Sequence, residues 1–522
     1  MGALSDALLE DMAAKGIDAA LTLSILDDFN SGRYDSVRPV EATGVPAVDG
    51  RTVISLAGRS GNGRAALAYS VPTRVAKERL DRLGLALPHS AAEGERDGET
   101  AFGAAALEEI GTTLLGRTAF GVLNGGSATS YADSKKNLAF GQDLFDALAP
   151  SYNSLAPLCK DRPKGLTPAY LEPDGSPGAS FLLLKMRARL VAAAAARRRG
   201  EKVGDSFMPL FQMTSVSNDG QLADAYAEYR GHPFIAPLAR ELSLDGVRWA
   251  TGVQPMIAAY THSSEGLPKR VFDRSGGLPD SAIALPGGHG QCFRVLAPTF
   301  RALRDSGIRF AYLGNVDNIG YLPDPVEIGI LALSGLSAAF DFSIRTPMDV
   351  KGGILVETAS GEDTPSGEDT PRARTIADIG PAISFDEVKR LEAEGSAILF
   401  NCAIGLFDLD WLVPRLDEIG RGLPVRFTDQ DKDAGRYSQA EQVTWEVAGI
   451  LPSFLAFAVD KYDRFVAAKL LAETLLTSGA AAGDPRVPPQ LADTSRRLKA
   501  ALERKLAGPY GLAVEKGRWI PV

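Results

Sequence analysis

The sequence predicts an α/β fold built on a mixed, mainly parallel sheet, and three observations carry that prediction. From about residue 118, short apolar runs recur between helix-like stretches: "TAFGVL", "FMPLFQM", "VRWATGV", "IRFAYLG", "GLSAAFDFSI" and "SAILFN". Such alternation is the pattern of strand and helix units around a parallel sheet. Polar loops, "LNGGSATS", "MTS" and "NVDN", follow three of these runs directly, and ligands in open α/β sheets gather where strands end in loops. The composition, 45% hydrophobic and 23% charged, lies near the soluble averages of about 45–50% and about 25%, so a packed core is expected.

In chain order, residues 5–29 place apolar side chains at helical spacing and stop at "NSG", which predicts a helical N-terminal region over 1–115. The alternating runs fill a central domain over 116–425. Beyond 426 the chain reads as helical and amphipathic around "DKYDRFVAAKLLAETLL" and ends in the charged "TSRRLKAALERKLAG". Residues 426–522 are therefore expected to form a smaller C-terminal domain. Between them, residues 360–371 repeat one hexapeptide in tandem, "SGEDTPSGEDTP", a composition that keeps a segment solvated and calls for no chemistry.

A formal net charge of -9 argues against a broad basic footprint, so no nucleic-acid partner is expected and any phosphate site must be local. Cys159, Cys292 and Cys402 stand far apart in the sequence, which indicates neither a disulfide framework nor a C-x-x-C metal site and fits a reducing cytoplasm. The opening stretch "MGALSDALLEDMAAKG" carries Asp6, Glu10 and Asp11 where a secretory signal carries basic residues. The longest apolar runs are broken by charge or shorter than the ~20 residues of a membrane span, so no membrane segment is expected. Oligomeric state leaves no mark on this sequence.

Five motifs raise chemical questions. "LPGGHGQCF" sets His289 among Gly287, Gly288 and Gly290, where missing side chains let a ligand approach the backbone. Asn124, Gly125 and Gly126 break directly out of a strand and can turn backbone N–H groups toward an anion or a base edge. Asp317, between Asn315 and Asn318 at the end of "FAYLG", is a carboxylate of the kind that holds Mg²⁺ together with substrate phosphates. Lys164 in "RPKGLTP", and Lys469 with Arg464 in "DKYDRFVAAK", read singly as solvated charges. A sixth stretch, "VISLAGRSGNGRAAL", has its glycines at the wrong spacing for a dinucleotide fingerprint and reads as a turn. Its rival reading is an NAD-dependent oxidoreductase.

Taken together, "LNGG", "RPKG", "FQMTS", "GVQP", "PGGHGQ", "GNVDN", "DVKGG", "FN" at 400–401 and "DRFVAAK" stand in a recognisable order. From about residue 110 to 475 the chain resembles the UTP-dependent sugar-1-phosphate uridylyltransferases, which include UDP-glucose, UDP-N-acetylhexosamine and UDP-sugar pyrophosphorylases. The resemblance implies a Rossmann-like, GT-A-like nucleotidyltransferase core and a lid-like C-terminal domain. It also implies an Mg²⁺-dependent reaction of UTP with a sugar 1-phosphate that yields a UDP-sugar and pyrophosphate. The sugar phosphate oxygen attacks the α-phosphorus in line, so the protein's task is to hold two polyanions together and neutralise them.

By similarity, Leu123, Asn124, Gly125 and Gly126 line the nucleotide, Gln254 and Gly288 read the uracil edge, and His289 lies near the phosphate or ribose. Asp317 holds Mg²⁺. Asn315, Asp378 and Asn401 reach the sugar, Lys164 neutralises the triphosphate, and Lys469 meets the sugar phosphate or the α-phosphate. The chain departs from the family pattern in several places. Ala128 replaces a loop glycine, Asp133 enters near the loop's end, and Lys135 and Lys136 rival Lys164. Gln291 stands where many relatives carry aspartate, and Asp378 where they usually carry glutamate. "DVKGG" at 349–353 looks like the glucose branch, whereas "PKG" and "MTS" look like the N-acetylhexosamine or broad-specificity branches. Glucose 1-phosphate is the expected acceptor, with galactose or N-acetylglucosamine 1-phosphate as the alternative. A nucleotide-sugar binding protein that has lost the chemistry is the more distant one.

Overall fold

The computed structural model describes residues 4–522 except 36, 59–66, 90–94, 97, 127–130, 246, 248, 347–348, 350–351 and 360–372. The "GRSGNGR" loop beyond Gly58, Ala128, Lys351 of "DVKGG" and the tandem hexapeptide thus lie outside the described residues.

The predicted sheet is present, with ten strands. In chain order they are β1 (Val53–Ser55), β2 (Thr118–Leu123), β3 (Leu210–Ser215), β4 (Trp249–Gln254), β5 (Phe310–Asn315), β6 (Ala338–Ile344), β7 (Gly353–Thr358), β8 (Ala373–Asp378), β9 (Leu399–Asp408) and β10 (Leu455–Ala458). Their spatial order is β1-β10-β6-β9-β5-β2-β3-β4, with β7 paired to β9 and β8 to β7. Strands β5, β2, β3 and β4 run parallel to one another, as do β1, β10 and β6. Strand β9 runs antiparallel between β5 and β6 and so joins the two parallel halves. Every residue of β2 and of β3 is buried, as expected of parallel strands covered on both faces.

Both flanking regions send a strand into this sheet, since β1 pairs with β10 through Val53 and Ala456. The N-terminal region contains the expected helices, α1 (Asp6–Ala14) and α2 (Ala19–Asn30), each N-capped by a side chain, Ser5 and Asp18. It also holds a small antiparallel sheet of 68–72, 99–103 and 95–96. The C-terminal part differs from the helical reading at its start. Residues Arg426–Lys432 and Gly435–Glu441 form a tight hairpin whose second strand pairs with Tyr260–Thr261. Helices occupy Lys461–Arg464, Leu471–Thr477 and Pro489–Ala507, interrupted where the sequence reads continuously.

Helix α3 (Phe181–Arg198) runs through the core and buries Lys185, Arg187 and Arg189 at 1%, 2% and 0% exposure. Burying a cation is costly unless its donors are satisfied. Here backbone carbonyls accept them: Asn318 and Tyr321 for Lys185, Tyr510, Gly511 and Phe234 for Arg187, and Phe207 and Asp205 for Arg189. The charges that break the apolar run in the sequence are thus interior anchors. No helix among the described residues is long and apolar enough to cross a membrane.

Candidate active site

Loops leaving the carboxyl ends of β2, β3, β4 and β5 meet on one rim of the sheet. Past Leu123, whose carbonyl accepts the Val316 N–H at 3.2 Å, the chain is pinned by the Asn124 N–H on Met213 O at 2.8 Å. The Asn124 side chain is buried and donates to Gln212 Oε1 at 3.3 Å. The turn Lys164–Leu166 docks on this loop through the Lys164 N–H and Gly126 O, 3.1 Å apart. From the turn the Lys164 ammonium reaches Asp317 and pairs with its carboxylate, in a setting where the two side chains keep only 16% and 9% exposure. At the end of β4, Gln254 is buried and donates to Gly288 O at 2.7 Å. One rim therefore collects Leu123, Asn124, Gly125, Gly126, Lys164, Gln254, Gly288 and Asp317.

A cavity opens beside this rim, lined by His289, Asn315, Asp317, Asp378, Asn401 and Lys469 among others. Asn401 owes its place to an irregularity in β9. Ala403 takes φ +54° in mid-strand, and the register with β6 shifts between Phe340 and Phe342. The Ala403 N–H donates to Asn401 Oδ1 at 3.0 Å, so the side chain of Asn401 closes the bulge. Such bulges re-aim side chains next to sites.

The histidine is held in one tautomer. The Thr444 backbone N–H donates to His289 Nδ1 at 3.1 Å, while the Thr444 hydroxyl donates to His289 O at 2.8 Å. A ring nitrogen that accepts carries no proton, so neutral His289 carries it on Nε2. Burial pushes this imidazole down to about 4, helped by the charge of Lys469. It is therefore a neutral donor at physiological pH. Burial raises the carboxyl of Asp378 above the usual range, against the pull of Lys469 and Arg426.

Lys469 sits on the interruption of the expected helix. Phe465 ends the turn at 461–464 with φ −123° and ψ 65°, and the segment after it runs alongside the Asp317 loop like a strand. The Ile319 N–H donates to Val466 O at 2.9 Å and the Ala468 N–H to Asp317 O at 3.2 Å. Asn318 Nδ2 donates to Arg464 O at 2.9 Å. Backbone pairing of this kind is absent from helical periodicity, which is why the sequence reads "DRFVAAK" as helix.

Other residues take different places from those the motifs suggest. Arg464 is buried in an ion-pair cluster with Glu327 and Asp341, both at 2.8 Å, and supports the loop from below. The glycines around His289 serve a close approach by the chain's own backbone. An added Cβ at Gly288, where φ is +85°, would lie 2.6 Å from Gln442 N, and one at Gly290 2.8 Å from Gln442 C. Gln291 is buried beneath Gly287, with its Oε1 lacking a partner among the described residues. Lys135 and Lys136 are exposed on the short helix Ser134–Asn137. Sequence reasoning missed Lys185, whose ammonium donates to Asn318 O and Tyr321 O at 2.6 Å each and underpins the loop carrying Asp317. A lysine between apolar neighbours on every side in "FLLLKM" was the available signal.

For a divalent ion the junction of rim and cavity offers the buried carboxylate of Asp317. Among the described residues no group of three or more His, Cys, Asp or Glu side chains converges as a metal cage. Mg²⁺ usually takes one or two protein carboxylates and fills its octahedron with water and substrate phosphates. Asp317, where the rim meets the cavity, is the residue that would hold it.

A family model described as UTP–glucose-1-phosphate uridylyltransferase matches residues 273–363, the stretch that carries Gly288, His289, Asn315 and Asp317. A UDP-glucose phosphorylase structure from Trypanosoma brucei superposes with a TM-score of 0.55 at 17% identity, covering 99% of this chain and 81% of that one. The fold is theirs. A point mutant of UDP-glucose pyrophosphorylase from Leishmania major, in complex with UDP-glucose, gives 0.55 at 14% identity over 100% of this chain and 83% of that chain. Another mutant of that enzyme aligns at 0.49 and 17% identity over 70% of this chain, which spans 66% of its length, just under two thirds. No curated protein sequence matches the chain. The nucleotidyltransferase fold expected from the sequence is thus present.

Proposed function

We propose that this protein transfers UMP from UTP to a sugar 1-phosphate, releasing pyrophosphate and a UDP-sugar, with glucose 1-phosphate as the acceptor. The observation that carries the reading is the Lys164–Asp317 ion pair. It sits where the loops after β2, β3, β4 and β5 meet the polar cavity, and in this reading its cation and carboxylate stand between two anionic substrates. The family-model match over 273–363 supports the uridylyltransferase reading, and the choice of glucose follows the "DVKGG" stretch at 349–353.

In this reading the backbone from Leu123 to Gly126, with Gln254 and Gly288, receives the uridine. Lys164 releases Asp317 and turns to the triphosphate, and Lys469 on the facing loop neutralises the sugar phosphate. Asp317 would hold Mg²⁺, which when bound would supply charge neutralisation to the phosphates. His289 donates from Nε2 to a phosphate or ribose oxygen without acquiring charge, and Asn315, Asp378 and Asn401 hold the sugar hydroxyls. Preorganised cations and donors are the main source of rate in such transfers, because the barrier is dominated by charge.

The test is pyrophosphate release with UTP, Mg²⁺ and a panel of sugar 1-phosphates, repeated with Lys164→Ala and Asp317→Ala. Each variant is expected to lose roughly 10²–10³-fold in turnover, the scale seen when one stabilising group is removed. Wild-type turnover in either variant refutes that residue's role. Binding of UDP-glucose with no pyrophosphate release by the wild type refutes the catalytic reading and leaves a nucleotide-sugar binding protein. Preference for N-acetylglucosamine or galactose 1-phosphate refutes the choice of acceptor alone.

A further inference from the structure

At the opposite end of the sheet a second cavity, of about 680 Å³, is lined by Arg79, Arg82, Arg117, Arg304 and Arg309. Arg117 and Arg309 directly precede β2 and β5, and the Arg309 N–H donates to Arg117 O at 2.8 Å. The six-residue strand β5 thus has this cavity at its start and Asn315 at its end, roughly 20 Å apart at about 3.3 Å per residue. Five arginines and no lysine, set against Asp408 and Asp410, line one hollow in a chain of net charge -9.

The pairing within the cavity is uneven. Arg304 and Arg309 are bridged to Asp410 and Asp408. Among the described residues Arg79, Arg82 and Arg117 meet no carboxylate. Arg79 donates to Leu333 O, Arg117 to Leu83 O at 2.7 Å and Arg82 to Glu78 O at 3.3 Å. Leu83 and Leu333 lie at the carboxyl ends of the helices Thr73–Arg82 and Pro325–Ser334, where cations are favoured by the helix dipole. Each of these guanidiniums is anchored through part of its fork, which leaves further N–H donors for another acceptor. Guanidinium forks match phosphate oxygens in pairs, unlike the point charge of lysine.

We propose that this cavity binds a small molecule carrying more than one phosphate group, at a site separate from the catalytic cavity. A single ion would leave most of the volume empty, whereas the volume lies within the range of about 300–1,000 Å³ typical of small-molecule pockets. The shared chemistry is a multiply charged phosphate, either inorganic polyphosphate or a bisphosphorylated organic compound.

Calorimetric titration of the full chain with inorganic tripolyphosphate and, separately, with a hexose 1,6-bisphosphate distinguishes the two sources. At least one is expected to bind at a site that persists in Lys164→Ala, so failure of the uridylyltransferase reading and failure of this one are separable. Arg82→Gln, at an exposed side chain, is expected to weaken that site roughly tenfold, the scale of a hydrogen bond to a charged group. Arg82→Gln/Arg117→Gln should abolish it, and Asp410→Asn, which removes a competing carboxylate, should tighten it. A melting curve for each variant confirms folding, and the two single variants decide the matter if the double variant fails to fold. Neither probe binding above a sulfate control, binding lost entirely in Lys164→Ala, or affinity unchanged in both Arg82→Gln and Asp410→Asn overturns the proposal.

Discussion

Gly165→Ala tests whether the position of Lys164, and not its charge alone, sets the activity. Gly165 follows Lys164 in the docked turn. A methyl group there would lie 2.8 Å from Asn124 Nδ2 and 2.9 Å from its Cγ, and nearer still to Oδ1, whereas ordinary contact begins at 3.4 Å. Asn124 cannot yield easily, because its side chain bonds Gln212, its N–H bonds Met213 and its carbonyl accepts from Asn218. The turn must therefore move by roughly half an ångström to an ångström and carry Lys164 away from Asp317. A misplacement of about 1 Å costs roughly 10²-fold in rate, while overpacking of this size costs about 1–3 kcal/mol of stability. We expect pyrophosphate release by Gly165→Ala to fall roughly a hundredfold in a protein that still melts cooperatively. Gly165→Ala/Asn124→Ala, which removes the colliding amide, should recover part of the loss as a non-additive coupling between contacting sites. Unchanged turnover in the single variant would refute the argument.

Three further outcomes follow from the described geometry. The imidazole of His289, pushed from 6.5 to about 4, takes up its proton more readily in the unfolded chain. Its contribution to stability is therefore present above pH 6.5 and lost as pH falls from 6.5 toward 4. Melting curves over that range should show the wild type losing stability relative to His289→Gln, and an NMR titration midpoint near 6.5 would contradict this. Arg464→Met should leave Glu327 and Asp341 buried without their cation and cost about 3–5 kcal/mol in denaturant unfolding, with a loss under 1 kcal/mol counting against the cluster's role. Lys135→Ala/Lys136→Ala, at exposed positions that do not line the cavity, should keep wild-type turnover, and a loss as large as that of Lys164→Ala would transfer the phosphate role to them.

What the sequence made legible was the part governed by local pattern. The runs ending at Leu123, Ser215, Gln254 and Asn315 form the strands, and the polar residues after them meet on one rim. The position of Asn401 could not be read, because a left-handed residue at Ala403 follows from pairing on both sides of β9 and not from local propensity. Strand polarity was equally hidden, since an apolar run reads the same in either direction. Lys469 was legible as a residue but not as a place: its segment pairs with Asp317–Ile319 through backbone groups, which carry no sequence signature. The interior places of Lys185 and Arg464 could not be read, because the carbonyls and carboxylates that accept their donors come from distant segments.

The partnership of β1 with β10 also bears on how the molecule is made. Val53 leaves the ribosome some 400 residues before Ala456, its neighbour in the sheet, and at about 5–20 residues per second that interval lasts roughly 20–80 s. For that time the amino-terminal segment has no ladder to join. The edge strand synthesised first is seated last, so the nascent chain must keep "VIS" from pairing elsewhere until its partner arrives.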